Sequence, residues 1–298
     1  MARESKRKAE DAATGPLAPG LYLVATPIGN AADITLRALD VLARADALAA
    51  EDTRTTRRLM DLHGIALGDR PLVSYHDRNG AQRRPQIAAW LAEGRSVAYC
   101  SDAGTPLVAD PGYRLAQLAI EQGHPMTAVP GPSAALTALT LSGLPSDRFL
   151  FAGFLPPKSA ARRKALAQLA DVPATLILYE SPRRAAATLA DMATVLGPRP
   201  AALARELTKR FEEVRRGDLA TLAATLSTEP EPKGELVLLA GPPENAAESR
   251  AEGLDAALAA ALEGMSLRDA VQDVSARLGL PRKRVYARAL ELSDAAED

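Results

Sequence analysis

The sequence predicts an α/β protein with two α/β domains and a small helical domain at its C-terminal end. Three observations predict it. Short apolar runs such as Leu21–Ala25 and Ser96–Cys100 alternate with segments whose apolar residues recur at helical spacing. The chain changes character at Leu144-Pro145, where Phe149, Phe151 and Phe154 gather before a basic stretch. Residues 253–293 carry helical patterning without strands. The expected organisation is a disordered tail over 1–18, domains over 19–131 and 132–243, and a helix-turn-helix-like unit over 250–298.

Taken in order, the tail is polar, Ala-rich and ended by Pro16 and Pro19. Leu21–Ala25 reads as a buried strand, and Thr26-Pro27-Ile28-Gly29-Asn30 as its turn. Asp33 or Thr35 can cap the next helix, with Leu36, Leu39, Val41 and Leu42 on its apolar face. Ala47–Ala50 and Pro71–Tyr75 are further strands, followed by Glu51-Asp52-Thr53-Arg54 and His76-Asp77-Arg78-Asn79. A helix over 83–93 leads to the strand 96–100, and Met126–Val129 is the fifth. This alternation argues for a mostly parallel sheet. In the second domain, Lys158–Ala170 reads as a basic helix, and Thr175–Tyr179, Ala201–Glu206 and Leu236–Ala240 as strands. Pro242–Asn245 marks a linker, and Gly279-Leu280-Pro281 breaks the helical tail.

Composition narrows the classes. The chain has 298 residues, 47% hydrophobic and 24% charged, which is ordinary for a globular protein with room for two cores. Cys100 is the only cysteine, so intrachain disulfides and cysteine-based zinc clusters are excluded. His63, His76 and His124 lack ligand spacing, and no metal is implied. No apolar run approaches a membrane span. The start, Met1 to Lys8, is charged and has no signal core, so the expectation is cytoplasmic. A net charge of −1 gives no global pull toward polyanions.

The longest strand-to-helix loop is Ser101-Asp102-Ala103-Gly104-Thr105-Pro106-Leu107-Val108-Ala109-Asp110-Pro111-Gly112. A plain connection takes about two to six residues. With it go four other loops read as leaving strand ends: 26–30, 51–54, Pro130-Gly131-Pro132-Ser133 and Tyr179-Glu180-Ser181-Pro182. Parallel strands collect such ends on one edge, where α/β proteins bind ligands. None matches a phosphate-loop or dinucleotide fingerprint. A ligand held by backbone and small side chains is expected, not a triphosphate.

Five segments together carry a resemblance: Leu23–Asn30, Glu51–Arg54, Ser101–Pro106, Val129–Ser133 and Tyr179–Arg184. In this order, from about Leu21 to Gly241, they resemble the small-subunit ribosomal RNA methyltransferase I family. That family is a branch of the tetrapyrrole methylase-like (class III) methyltransferases. The resemblance implies S-adenosylmethionine in a cleft between the two α/β domains and a homodimer. It implies methylation of a cytidine 2′-hydroxyl in 16S rRNA of the small ribosomal subunit. It assigns cofactor contact to Pro27, Ser101, Asp102, Ala103, Ser133, Tyr179, Gly234 and Glu235. Ser101 to Ala103 stand where relatives acting on tetrapyrroles have Gly-Asp-Pro, which separates this chain from the corrin and haem branches.

Blander readings stand beside these. Asp102 can cap a turn, Glu51-Asp52 can be a solvated pair, and Tyr179 can be core. The candidate proton acceptors are Asp52, ranked first, then Glu51 and Glu180. RNA would be held by Arg54, Lys158, Arg162, Arg163, Lys164 and Arg183, though a basic run is usually a solvated face. The tail resembles a helix-turn-helix, with a dimerising helical hairpin as its alternative. The competing functions are a methyltransferase on a precorrin-type tetrapyrrole and a non-catalytic nucleic-acid binder.

Overall fold

The computed structural model describes residues 15–243, 246–262, 264–278 and 280–297. Of the expected tail, residues 1–14 lie outside these. Residues 15–18 depart from the disorder expected of them, since the carbonyls of Gly15 and Ala18 accept from Arg44 and from the Tyr22 hydroxyl. Glu244 and Asn245 of the expected linker, and Gly279 of the tail break, also lie outside the described residues.

The first sheet holds β1 (Gly20–Val24), β2 (Ala47–Ala50), β3 (Leu72–Ser74), β4 (Ser96–Cys100) and β5 (Met126–Val129). Their order is β3-β2-β4-β1-β5 and every pairing is parallel, as the alternation predicted. Helices cover both faces. Leu42 of α1 (Leu36–Arg44) and Met60 of α2 (Thr53–Leu62) pack on one. Trp90 of α3 (Gly80–Ala92) and Leu115 of α4 (Tyr113–Glu121) pack on the other. Hence β2 and β4 are buried at every position, which is why they read as unbroken apolar runs. Of the two predicted caps, Thr35 is the one that acts: its hydroxyl accepts from the Ala38 N–H at 3.1 Å. The helix expected to begin at 83 begins at Gly80 and carries Pro85 inside it. Cys100 ends β4 in the core, and burial pushes its thiol up to about 12.

The second sheet holds β6 (Phe149–Phe154), β7 (Thr175–Glu180), β8 (Pro200–Arg205), β9 (Glu213–Asp218) and β10 (Leu236–Ala240), in the order β6-β7-β10-β8-β9. It is mixed: β6 and β7 are parallel, while β10 runs against β7 and β8, and β9 against β8. Side chains alternate across it with period two. Leu176 and Leu178 face α6 (Ser159–Ala167), α7 (Pro182–Leu196) and α8 (Leu219–Thr228). Ile177, Tyr179, Val237 and Leu239 face the opposite way, toward α5 (Ala134–Ser142) and toward Ile28 of the first domain.

Four of these elements went unread in the sequence: β6, β9, α5 and α8. The strand β9 reads Glu-Val-Arg-Arg-Gly-Asp and sits at the sheet edge, where charge is tolerated and alternation is lost. The strand β6 is broken by a bulge between Phe151 and Gly153, the latter at φ +63°. One expectation about the loops needs correction. Four of the five leave the parallel edge of the first sheet, but Tyr179–Pro182 leaves β7 of the second and meets them from across the domain boundary.

The C-terminal unit has three helices, α9 (Ala246–Leu262), α10 (Leu267–Leu278) and α11 (Arg282–Glu297). Leu258, Val274 and Val285 form its own core. The guanidinium of Arg288 ties α11 to Asp255 of α9 at 2.7 Å.

Candidate active site

The loops at the parallel edge form one hydrogen-bonded frame. Thr26 and Gly104 exchange both backbone bonds at 3.0 Å, bridging the loops after β1 and β4. The Thr26 hydroxyl donates to the Ser101 carbonyl, and the Ser101 hydroxyl to the Gly104 carbonyl. Thr105 donates to the Pro132 carbonyl at 2.9 Å, bringing in the loop after β5. Gly131 is packed so tightly that an added Cβ would lie 2.9 Å from the Ala25 Cβ. Across the sheet, the Asp52 N–H donates to the Asp102 carboxylate at 2.8 Å, and the Asp102 N–H to Glu51 at 3.3 Å.

The loop beyond Gly104 is held under strain. Leu107 and Ala109 lie at φ +71° and +56°, left-handed conformations that cost L residues free energy and persist where the surroundings fix them. Asp110 does the fixing. Its Oδ1 accepts from the Tyr99 hydroxyl at 2.9 Å and from the N–H groups of Leu107 and Gly112. Its Oδ2 is buried without a hydrogen-bond partner. Gly112 is required here, because a Cβ would lie 2.4 Å from the Tyr99 ring.

Two hollows flank this loop. One is the cleft between the domains, about 400 Å³ in volume. Ile28, Ala103 and Gly104 line it from the first domain, and Tyr179, Gly234 and Val237 from the second. The Tyr179 ring is braced edge-on by Phe151 and Phe154, with centroids 4.7 and 5.7 Å away. The second hollow, about 640 Å³, opens over the ends of β2 and β3 and is polar: Glu51, His76, Asp77, Arg78 and Asp110 line it. Ala109 belongs to both, so the strained loop is the wall between them.

The candidate cofactor residues divide accordingly. Ala103, Tyr179, Gly234 and Glu235 line the cleft. Pro27 and Ser133 stand one residue away from its lining residues Ile28 and Ala134. Ser101 is buried, and its hydroxyl and carbonyl are both used within the frame. Asp102 points to Asp52 on the side of the polar hollow.

The three candidate proton acceptors have different surroundings. Asp52 caps α2, and its carboxylate grips the Arg54 side chain at 2.6 Å, which holds it down at about 2. So weak a base accepts protons poorly. Glu180 is worse placed: its carboxylate is 1% exposed and takes bonds from the Ser181 N–H, the Thr188 hydroxyl and Arg184. It anchors the start of α7. Glu51 is the opposite case. Burial pushes its carboxyl up against the help of the Asp102 N–H, and the nearby carboxylates of Asp102, Asp110 and Asp77 push the same way. Partial desolvation pushes Asp102 up too.

One expected RNA contact also fails. Arg162 is buried and paired with Asp191 at 2.6 Å, so it joins α6 to α7 and offers nothing to solvent. Arg163 shares Asp191 but is half exposed, and Lys158, Lys164, Arg54 and Arg183 are exposed. Sequence reasoning gave no role to Asp77 or Asp110. The signal was available, as Asp77 follows the end of β3 beside His76 and Asp110 lies within the long loop after β4.

The comparisons with known proteins fall on this frame. A family model described as Tetrapyrrole (Corrin/Porphyrin) Methylases matches residues 20–223. The chain belongs to the tetrapyrrole methylase family. A second model, RsmI C-terminal HTH domain, matches residues 247–293. Among curated relatives, "Ribosomal RNA small subunit methyltransferase I" of Mesorhizobium japonicum is 51% identical over 280 residues, covering 94% of each chain. The protein of the same name from Micromonospora olivasterospora is 49% identical, covering 95% of this chain and 89% of its own. Among solved structures, cobalt precorrin-4 methyltransferase matches at TM-score 0.55 and 18% identity, covering 74% of this chain and 94% of its own. Uroporphyrin-III-C-methyltransferase from Thermus thermophilus matches at TM-score 0.52 and 26% identity, covering 78% and 98%.

Membership makes the chain a methyltransferase that uses S-adenosylmethionine. The cleft fits that donor. Its volume lies in the ~300–1,000 Å³ range of small-ligand sites, and its walls are mostly apolar with few polar groups. Gly104, at φ +79°, keeps a Cβ out of the space between Ile28 and Pro132. Among the described residues, no helix is long and apolar enough to cross a membrane.

Proposed function

We propose that the chain methylates the 2′-hydroxyl of a cytidine in 16S rRNA of the small ribosomal subunit. The observation that carries this reading is the pair of hollows sharing one wall at Ala109. Pro27, Ala103, Ser133, Tyr179, Gly234 and Glu235 would hold the donor in the apolar cleft. S-adenosylmethionine, when bound, supplies a methyl group on a cationic sulfonium. The nucleoside enters the polar hollow, where hydroxyls and a base edge find partners.

Glu51 is the proton acceptor in this reading. Its raised pKa matches it better than Asp52 to a hydroxyl proton near neutral pH. Asp102 braces it through the 3.3 Å bond from its N–H. The strained 107–110 wall aligns acceptor and donor, and such alignment contributes up to about 7–11 kcal/mol in favourable cases. Exposed Arg54, Lys158, Arg163, Lys164 and Arg183 track the phosphates from the first domain to the second. A further basic groove, lined by Arg268, Arg282, Lys283 and Tyr286, lies between α10 and α11. The relatives' printed names support the rRNA substrate. The working form is a cytoplasmic homodimer.

The test is transfer of labelled methyl from S-adenosylmethionine to small subunits, with the modified nucleotide mapped on the rRNA. The reading expects a methylated ribose, and its loss in Asp102→Ala. Methyl transfer to a precorrin-type tetrapyrrole and none to subunits would overturn it.

A further inference from the structure

The segment Glu206–Lys209, which follows β8, has no assigned role. It is strained, with Glu206 at φ +49° and Thr208 at φ +64°. Two left-handed non-glycine residues in three persist where neighbours hold them. Here the neighbours are the two walls of the donor cleft.

On the second-domain side, Glu206 and Glu235 exchange two bonds. The Glu206 N–H donates to the Glu235 carbonyl, and the Glu235 N–H to the Glu206 carboxylate, both at 3.0 Å. The Lys209 ammonium then bridges Glu206 and Glu235 at 2.9 Å each. Gly234 must be glycine, because a Cβ would lie 2.2 Å from the Glu206 carboxylate. On the first-domain side, the same segment lies against the β1 turn. A Cβ on Gly29 would meet the Lys209 stem at 2.5 Å and the Thr208 hydroxyl at 2.7 Å. The Asn30 N–H donates to that hydroxyl at 3.0 Å. Gly29 adjoins Ile28, and Ile28, Gly234 and Glu235 all line the cleft.

We propose that Lys209 is a positioning residue for the methyl donor: its stem rests on the first-domain turn while its ammonium grips the second-domain wall, fixing the width of the cleft between them. Lys209 touches neither reactant; it acts through Ile28, Gly234 and Glu235. Burial alone would lower its pKa, but the two carboxylates hold it above the ordinary lysine value, so the bridge stays charged through neutral pH. The proposal rests on the cleft being the donor site.

The test is Lys209→Met, which keeps the stem and removes the charge. Donor affinity is read by calorimetry with S-adenosylmethionine and, separately, with its demethylated product. Affinity is expected to fall about tenfold and the KM for the donor to rise with it, as for a site left slightly too wide. At saturating donor, kcat and the KM for small subunits stay within about twofold, since Lys209 contacts neither RNA nor the reacting atoms. Lys209→Arg restores most of the affinity, which a merely structural residue would not require. If the native chain binds donor and Lys209→Met binds it equally well, the positioning role is overturned alone. If the native chain binds neither donor nor product, the donor-site reading falls and the positioning role with it.

Discussion

Asp191 and Glu51 are both carboxylates drawn out of water, one in each α/β domain, and their neighbours are opposite in sign. Around Asp191 stand Arg162 at 2.6 Å, Arg163 at 2.5 Å and the Ser159 hydroxyl at 2.9 Å. Burial alone would raise its pKa, but these bonds bring it below the ordinary value. Around Glu51 burial also raises the pKa, and there the neighbouring Asp102, Asp110 and Asp77 raise it further. The difference separates scaffold from site. Asp191 has its partners within the fold and joins two helices. Glu51 is crowded by like charge at the mouth of a hollow, where shifted carboxylates tend to do chemistry.

The sharpest way to break the comparison is Glu51→Gln. It should lower kcat/KM for methyl transfer by about 10²–10⁴, the contribution of a positioned base, with donor affinity unchanged by calorimetry. An active Glu51→Gln would return Glu51 to the scaffold. Next in size is Asp191→Ala. It leaves Arg162 buried without its anion, so chemical denaturation should show a loss of about 3 kcal/mol, the lower end for a broken buried pair because Arg163 reaches solvent. Donor affinity per folded molecule should hold.

The pH dependences should run in opposite directions. The native pKa of Asp191 is depressed, so its contribution to stability is full above about 3.9, the unfolded value, and is lost as pH falls through the native one. The native pKa of Glu51 is raised, so its contribution is full below about 4.3 and is lost as pH rises through the native value. At neutral pH, Glu51→Gln should therefore melt at or above the native temperature and Asp191→Asn below it. In catalysis, kcat/KM should rise with pH through the elevated Glu51 pKa, and Glu51→Gln should flatten that limb. The smallest effect is at the rim. Lys164→Ala with Arg183→Ala should raise the KM for subunits about threefold at low salt and less at high salt, since phosphate contacts are screened. Arg162→Ala should instead lower stability and leave the salt slope as it was.

Most of the first domain was legible because its inner strands β2 and β4 are buried at every position and its turns are marked by Gly, Pro and capping residues. The loops that build the site were legible for the same reason, since Thr26–Asn30 and Ser101–Gly112 are too rich in special backbone residues to be plain connections. What was not legible depends on partners distant in sequence. Nothing local to Glu51 shows that Asp102, 51 positions on, and Asp110 will crowd it. Arg162 reads as one more cation until Asp191, 29 positions on, is seen to neutralise it. Lys209 sits in an ordinary charged stretch, and only the return of β10 beside β8 sets Glu235 against it. The edge strand β9 was lost because its charges hide the alternation that marks buried strands.

The chain's lone sulfhydryl, closed in the core at the end of β4, makes a ready reporter. Alkylating reagents should modify native molecules only as fast as that sheet opens. A single-site labelling rate would then time the fluctuations of the first α/β domain without any engineered probe. Slower labelling with donor present would register cleft occupancy as an added barrier to that opening.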